Sequence, residues 1–228
     1  MTVQDDRREK ELIALFQLKK PQNATRSGTD AILDLNGLEI PFELKSTTSS
    51  SVTTVRDFGL DHIKKWQGKH WLFGFYNKEG TELKYCLYAS PLAMAKWISE
   101  KEAYILSDYK LAQITPELLT IDILYEIIGQ KDSYTLEDAK SIQKKQYTAQ
   151  QYRAKMDLPN AYSPQKMLAI LKDRCRYLIE RGSTLNNPHI LASYFQGWEQ
   201  ITTNHAQRLR ELVRDALQDN TPQRDRAT

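Results

Sequence analysis

The stretch TDAILDLNGLEIPFELK, residues 29–45, decides the fold of the first half of this chain. The Asn-Gly pair at 36–37 stands at its centre, and this pair favours a two-residue hairpin turn because both turn positions need a positive φ. On each side of the pair, apolar residues alternate with other residues, as in half-buried strands. The pattern therefore predicts an antiparallel hairpin with Leu35 paired to Leu38.

Charged residues collect on one face of this predicted hairpin. Side chains alternate between faces with period two, so the register puts Asp30 opposite Glu43, with Lys45 pointing the same way. The other face carries Ala31, Leu33, Leu35, Leu38, Ile40, Phe42 and Leu44. Two carboxylates directly opposite each other, with Cβ atoms about 5 Å apart, repel unless a cation lies between them. Oxygen ligands of this kind suit Mg²⁺, and a neighbouring ammonium can hold a phosphate oxygen or a water nucleophile.

An acidic residue two positions before a lysine is a weak signal by itself. The chain contains the spacing four times, at Glu43–Lys45, Glu82–Lys84, Asp108–Lys110 and Asp138–Lys140. The first copy alone has an acidic residue on a predicted neighbouring strand. A solvent-exposed sheet face with mixed charges is the alternative explanation.

The set of Asp30 and then Glu43-Leu44-Lys45 on the next strand resembles the PD-(D/E)XK nuclease superfamily, which includes most type II restriction endonucleases. A polar loop, a helix near 61–66 and strands at 70–77 and 81–88 follow, in the order of that superfamily's α-β-β-β-α-β core. The resemblance covers about residues 4–100. One departure is Thr29, which stands where the motif has proline.

This resemblance implies a fold and a set of site residues. The fold is α/β, with a restriction-endonuclease-like core (a mixed central sheet flanked by helices) and a largely helical C-terminal half. The implied catalytic residues are Asp30, Glu43 and Lys45, and the implied Mg²⁺ ligands are Asp30, Glu43 and the backbone carbonyl of Leu44. Glu9, on the first predicted helix, is a further candidate ligand, with surface solvation as its alternative. Asp34 competes with Asp30 but faces Glu39, farther from the Glu43/Lys45 pair.

Composition limits the class of protein. The chain has 228 residues, of which 40% are hydrophobic and 27% charged, values typical of a soluble globular protein. A membrane-spanning helix needs roughly 18 consecutive apolar residues, and the chain has no such run. We therefore expect no membrane partner. The start of the chain lacks the apolar segment of a signal peptide, and the two cysteines form no ligand cluster. We therefore expect a cytoplasmic protein.

The hydroxyl-rich segment Ser46–Gly59 follows the predicted site strand directly, so we expect it to lie against bound DNA. Hydroxyls contact phosphates and base edges, and an arginine can bind phosphate or guanine in a bidentate way. The predicted contacts are Ser46, Thr47, Thr48, Ser49, Ser50, Ser51, Thr53, Thr54 and Arg56. A disordered surface loop is the alternative.

Charge is unevenly distributed along the chain. The segment 139–182 has ten Lys and Arg against three acids, a net charge of +7, whereas the segment 100–138 has a net charge of −6. A concentrated basic region suits a phosphate-tracking surface, and Lys144 and Lys145 are its predicted DNA contacts. Ordinary solvated helices would give the same composition.

We predict three regions in the chain. These are a nuclease core at 1–100, a helical region packed on it at 101–220, which contacts DNA or mediates dimerisation, and a frayed tail at 221–228. Beyond the core, helices are predicted at about 91–101, 116–129, 135–156, 164–181 and 188–218.

These expectations combine into one function. The chain is predicted to be a Mg²⁺-dependent type II restriction endonuclease that cleaves double-stranded DNA at a palindromic site as a homodimer, leaving 5′-phosphate and 3′-hydroxyl ends. The alternatives are a structure-specific or repair nuclease on the same core and a DNA-binding module that has lost catalysis.

Overall fold

The computed structural model describes residues 3–21, 28–184 and 187–219, which form two compact units. The first unit contains the described residues up to Ala103 together with those from Asn187 onward, and the second contains those from Tyr104 to Thr184. The predicted division differs here, because it assigned 187–219 to the helical region. The predicted tail, 221–228, lies outside the described residues.

The described residues form an α/β fold that is about half helical. The strands are β1 (Ala31–Leu35), β2 (Leu38–Thr47), β3 (Val52–Thr53), β4 (His70–Tyr76), β5 (Leu83–Ala89) and β6 (His189–Ile190). The α-helices are α1 (Val3–Phe16), α2 (Leu60–Trp66), α3 (Pro91–Ile114), α4 (Ile121–Ile128), α5 (Leu136–Gln143), α6 (Ala149–Ala154), α7 (Pro164–Ser183) and α8 (His205–Asp219).

A mixed four-stranded sheet forms the centre of the first unit. Its strand order is β1-β2-β4-β5, with β2 and β4 parallel and the other two neighbouring pairs antiparallel. Strands β3 and β6 pair separately with each other. Because parallel strands cannot be joined by a tight turn, the chain passes through β3 and α2 before it returns as β4. This crossover brings α2 to the sheet.

The predicted hairpin and its register are confirmed. Leu35 pairs with Leu38, and the turn residues Asn36 and Gly37 have φ values of 57° and 87°. The apolar face enters the core as predicted except at Leu38, which is 54% exposed because it sits at the tip of the hairpin.

Helix α1 packs closely on the sheet because Gly74 of β4 has no side chain. A Cβ on Gly74 would lie 3.0 Å from a methyl group of Leu12, which is tighter than ordinary van der Waals contact. Leu209 and Val213 of α8 join the same apolar cluster as Leu12. The returning C-terminal segment therefore completes the core of the first unit, which explains why 187–219 belongs there.

Three of the predicted helices have different bounds. Helix α3 continues to Ile114 instead of ending near 101. The helix predicted at 116–129 is divided into a 3₁₀ turn, Thr115–Leu118, and α4, which Thr120 caps at its N-terminus. The segment predicted as a helix from 188 contains β6 and a 3₁₀ turn, Ala192–Phe195, before α8 begins.

A fourth predicted helix, 135–156, is broken in the middle. Thr135 caps α5 at its N-terminus, but α5 ends at Gln143, and Lys144 and Lys145 have φ values of 51° and 62°. These values belong to the left-handed region, which an α-helix cannot contain. The chain therefore turns at the two lysines and starts again as α6.

The second unit has its own core. Helix α7, which Ser163 caps at its N-terminus, contributes Met167 and Ile170 to a buried cluster that also contains Tyr134 and Tyr162. The last two residues exchange both backbone hydrogen bonds at 2.9 Å. Over both units, no helix that the structure describes is long and apolar enough to cross a membrane.

Candidate active site

Asp30 is fixed against β2 although it precedes β1. Its backbone N–H donates to the carbonyl of Phe42 at 3.2 Å, and its Oδ2 accepts a hydrogen bond from the N–H of Leu44 at 3.0 Å. The hairpin pairing thus extends one residue beyond the strand, which brings Asp30 beside Glu43 as the sequence predicts. The extended pairing explains how a residue outside any strand takes a defined place in the site.

Glu43 is fully buried, and four side chains donate to its carboxylate. Lys45 Nζ lies 2.8 Å from Oε1, and the indole N–H of Trp66 lies 3.3 Å from the same oxygen. Lys65 Nζ is 3.1 Å and Lys69 Nζ 3.4 Å from Oε2. A buried carboxylate requires partners of this kind, because an unpaired charge away from water is very costly. Glu43 is therefore the centre of the site.

Two of these lysines, Lys65 and Lys69, are not identified by the sequence. Lys65 lies in the last turn of α2, and Lys69 lies between α2 and β4, where it also donates to the carbonyl of Gly28 at 3.2 Å. Both reach Glu43 only because α2 crosses back over the sheet to start the parallel strand. The one available signal is the pair Lys64-Lys65 in the predicted helix near 61–66, and it does not tell which lysine faces the sheet.

Burial and charge act in opposite directions on the site residues. Burial by itself would raise the pKa of Glu43, but the ammonium groups of Lys45, Lys65 and Lys69 outweigh it and lower that pKa to about 2. Burial likewise opposes the charged form of Lys45, yet Glu43 and Asp30 raise its pKa above the usual value. Glu43 and Lys45 are therefore both charged at neutral pH.

Lys69 differs from Lys45 in the direction in which its pKa is shifted. Burial lowers the pKa of Lys69, and the positive charge of Lys65 lowers it further, while Glu43 and Asp30 only partly compensate. His62, on α2, also has a lowered pKa because of burial and of the nearby Lys65. The charged form is therefore favoured at Lys45 and disfavoured at Lys69.

Asp34, the competitor of Asp30, lies away from this centre. Its carboxylate accepts from Lys19 at 2.7 Å and from the N–H of Gly37 at 2.9 Å, so it closes the hairpin turn. Hydrogen bonds to Lys19 and Gly37 lower its pKa. The structure therefore brings Asp30, and not Asp34, to Glu43 and Lys45.

Glu9 is near the site but is not joined to the carboxylate pair. It accepts from Lys20 at 3.1 Å, and its negative charge contributes to the raised pKa of Lys45. Among the described residues, no three His, Cys, Asp or Glu side chains come close enough together to form a metal cage. Asp30 and Glu43 form a pair, which suffices for Mg²⁺ because this ion usually keeps several waters and substrate oxygens as ligands.

The position between the carboxylates of Asp30 and Glu43 suits a divalent cation. A positive group already lies between the two carboxylates, since Lys65 Nζ is 3.4 Å from Asp30 Oδ1 and 3.1 Å from Glu43 Oε2. The two acids thus converge on one position that accepts positive charge. Hard oxygen donors are the chemistry that Mg²⁺ requires.

The hydroxyl-rich segment is more ordered than its composition suggests. Val52 and Phe58 are fully buried, and Thr54 is 6% exposed. The hydroxyl of Thr54 donates to the carbonyl of Pro188 at 2.9 Å, so the prediction that Thr54 contacts DNA does not agree with this fold. The segment is attached to the returning C-terminal chain through β3 and β6.

The remaining predicted contacts in this segment divide into two groups. Thr48, Ser49, Ser50, Thr53 and Arg56 are exposed, and among them the side chains of Thr48, Ser50 and Arg56 make no hydrogen bond within the residues that the structure describes. The second group consists of Ser46, which is half-buried, and Thr47, Ser49, Ser51 and Thr53, whose side chains or backbone hydrogen-bond to neighbours. Thr53, for example, shares a 3.1 Å hydrogen bond with His189 Nδ1. Thr48, Ser50 and Arg56 are therefore better suited to bind a ligand than the residues that hydrogen-bond to their neighbours.

Lys144 and Lys145 are exposed in the second unit, at the turn between α5 and α6. Their left-handed backbone gives the two side chains directions that a continuous helix would not allow. Other lysines of the basic segment are engaged in ion pairs, such as Lys155 with Asp173 at 2.8 Å.

Comparison with known proteins adds no family. No protein-family model matches the chain, and no curated protein matches it in sequence. The geometry of Asp30, Glu43 and Lys45 is therefore the basis for assigning a function.

Proposed function

We propose that this chain is a Mg²⁺-dependent endonuclease of double-stranded DNA with a restriction-endonuclease-like core. The observation that carries the proposal is the joint position of Asp30, Glu43 and Lys45. The acids lie on adjacent antiparallel segments, and Lys45 Nζ is 2.8 Å from Glu43 Oε1. Two neighbouring acids repel each other and do not stabilise a sheet. Metal-assisted hydrolysis of a phosphodiester, by contrast, can use both carboxylates to bind the metal and the lysine to bind water or phosphate.

Each residue has a role in this proposal. Asp30, Glu43 and the Leu44 carbonyl would hold Mg²⁺, which when bound would supply Lewis-acid stabilisation of the charge on the reacting phosphate. The Leu44 N–H keeps Asp30 oriented toward Glu43. Lys45 holds the attacking water by hydrogen bonding and stabilises negative charge on the phosphate. The water oxygen bonds to phosphorus and gives a proton to solvent, the bond between phosphorus and the 3′ oxygen breaks, and that oxygen takes a proton from solvent, so the products carry 5′-phosphate and 3′-hydroxyl ends.

Site-specific cleavage by a homodimer is the narrower form of the proposal. A two-fold protein matches a palindromic site, because each protomer then meets the same sequence. Thr48, Ser50 and Arg56 are exposed beyond the strand that carries Glu43 and Lys45, and hydroxyl and guanidinium groups are suited to base edges and phosphates. These residues are the proposed DNA contacts of the hydroxyl-rich segment.

A second candidate is favoured by the complete burial of Glu43. A carboxylate surrounded by lysine ammonium groups can serve as a structural ion cluster, and such a chain could bind DNA without cutting it. A structural ion cluster does not explain why a second carboxylate, Asp30, lies beside Glu43, because Glu43 already has Lys45, Lys65 and Lys69 as partners.

Incubation with a long DNA of mixed sequence and Mg²⁺ tests the proposal. Discrete fragments are expected from site-specific cleavage, and Asp30→Asn serves as the control for contaminating nuclease. A smear, or cuts confined to junctions, would indicate a repair or structure-specific nuclease. Intact DNA, with the protein still bound to it in a mobility-shift gel, would indicate the ion cluster without catalysis.

A further inference from the structure

Lys65 occupies the position between the two acids of the proposed metal site. Its Nζ lies 3.4 Å from Asp30 Oδ1, 3.2 Å from Glu43 Oε1 and 3.1 Å from Glu43 Oε2. Lys45 and Lys69 each contact Glu43 without contacting Asp30 in the hydrogen bonds and ion pairs of the described residues. Among the three lysines, Lys65 is therefore the one whose ammonium group contacts both carboxylates.

An ammonium and a divalent ion cannot share this position. A metal bound by the same oxygens would lie about 2.0–2.1 Å from each of them, inside the space that separates the acids from Lys65. Two positive groups so close together also repel strongly in a partly buried site. Binding of the metal therefore requires Lys65 to move away.

The contacts of Lys65 suit such a movement. Its distances of 3.1–3.4 Å are longer than the 2.8 Å of the Lys45–Glu43 pair. Its side chain is 13% exposed, so part of it already contacts solvent. A lysine also carries its charge on a flexible four-carbon chain, which lets the ammonium group move. When Lys65 leaves, Lys45 and Lys69 still hold Glu43.

We propose that Lys65 is a built-in competitor of the metal: it is the counter-ion of Asp30 and Glu43 in the metal-free protein and is displaced when a divalent cation binds. The inference rests on the proposed function for the identity of the ligands. It adds a residue that sets the metal affinity, and it gives α2 a role in controlling the site.

Mn²⁺ binding to the DNA-free protein, measured by titration calorimetry, tests this role without reference to cleavage. Lys65→Gln should bind Mn²⁺ on the order of tenfold more tightly than the wild type, because a competing charge a few ångströms away is gone. Lys64→Gln is the matched control, since Lys64 is the adjacent, exposed lysine of the same helix, and its affinity should equal that of the wild type. Unchanged or weaker binding by Lys65→Gln would overturn the proposal.

A second measurement uses the wild-type chain and does not depend on a variant that folds. Amine-reactive labelling followed by mass spectrometry should show faster modification of Lys65 when Mn²⁺ is added, while Lys64 is labelled at the same rate. A constant rate at Lys65 would refute its displacement. A DNA cleavage assay separates the two proposals. Tighter Mn²⁺ binding by Lys65→Gln without DNA cleavage by the wild type supports the role of Lys65 and rejects the nuclease. DNA cleavage by the wild type with unchanged Mn²⁺ binding by Lys65→Gln supports the nuclease and rejects the role of Lys65. If neither protein binds Mn²⁺, the competitor proposal fails, and the cleavage assay alone decides the nuclease proposal.

Discussion

The backbone N–H of Leu44 donates a 3.0 Å hydrogen bond to Oδ2 of Asp30. This bond connects the residue between Glu43 and Lys45 to the acid on the neighbouring segment. The side chain of Asp30 is therefore oriented by the backbone of the strand that carries the other two site residues. A shift of the hairpin by one residue would put Asp30 on the face opposite to Glu43 and Lys45, because the pairing would change which side chains share a face.

Replacement of Asp30 by Asn should abolish cleavage while preserving the fold. Asn keeps an oxygen that can accept from the Leu44 N–H, but it loses the negative charge that a hard cation requires. DNA binding in Ca²⁺ should remain, since one negative charge near the phosphates is removed. Cleavage assays and mobility-shift gels measure the two effects.

Asp34→Asn is the matched control for this prediction. Asp34 belongs to the same hairpin but binds Lys19 and Gly37 at the turn. Its variant should cleave DNA at the wild-type rate. Full activity of Asp30→Asn, or loss of activity in Asp34→Asn, would mean that the assignment of the metal-binding acid is wrong.

Lys45→Ala should lower the cleavage rate by about 10²–10³-fold, the range expected when a donor that stabilises negative charge in the transition state is lost. Glu43 keeps Lys65 and Lys69 as partners, so the variant should stay folded, as far-UV circular dichroism can verify. Lys84→Ala, in the second Glu-Leu-Lys sequence, is the control because Lys84 is exposed on β5. Equal behaviour of the two variants would remove Lys45 from the chemistry.

The hairpin and its acid pair could be predicted from the sequence because two local signals agree. The Asn-Gly turn fixes the register, and the period-two pattern between Ala31 and Leu44 fixes which face is buried. Both signals act over fewer than twenty residues and depend on nothing elsewhere in the chain. The placement of Asp30 beside Glu43 and Lys45 therefore follows from the sequence alone.

Lys65 and Lys69 could not be predicted, because their place depends on long-range pairing. They meet Glu43 only after β2 has paired in parallel with β4 and α2 has packed over the sheet. Sequence periodicity shows that a helix is present near 61–66 but not how it is rotated against the strand. Long-range pairing also explains why the sequence does not predict that residues 187–219 belong to the first unit, where Ile201 pairs with Cys86.

Stability should fall between pH 6.5 and pH 4 because of His70. Burial lowers the pKa of His70 to about 4, and its Nδ1 shares a 2.7 Å hydrogen bond with the hydroxyl of Tyr88. The unfolded chain, with an ordinary histidine pKa, takes up this proton first, so the stabilisation is complete above pH 6.5 and is lost as the pH falls to 4. The loss amounts to about 3 kcal/mol of the free energy of unfolding.

His70→Asn isolates this contribution, because Asn can keep a hydrogen bond to Tyr88 but does not titrate. Urea unfolding of both proteins at several pH values gives the difference in stability. We expect the difference to shrink as the pH falls from 7 to 4. His62 and His205, whose pKa values burial also lowers, are present in both proteins and cancel. A difference that does not change with pH would contradict the prediction.

Lys144 and Lys145 should contribute to the salt-dependent part of DNA affinity. Each lysine that neutralises a phosphate adds about −0.9 to the slope of log K against log salt concentration on duplex DNA. Both residues have positive φ values, so the best neutral substitute is Asn, which tolerates the left-handed region and preserves the turn. The double variant Lys144→Asn/Lys145→Asn should flatten the slope by up to about two units, equally for specific and random DNA.

The size of the change tells how many of the two lysines reach the backbone. A change near one unit means that a single lysine contacts phosphate, and a loss confined to one DNA sequence would mean that a base is read instead. The control is Lys155→Gln, because Lys155 is paired with Asp173 at 2.8 Å and should leave the slope unchanged. An unaltered slope in the double variant, together with normal cleavage, would mean that the +7 charge of residues 139–182 is solvated surface and that DNA is held elsewhere.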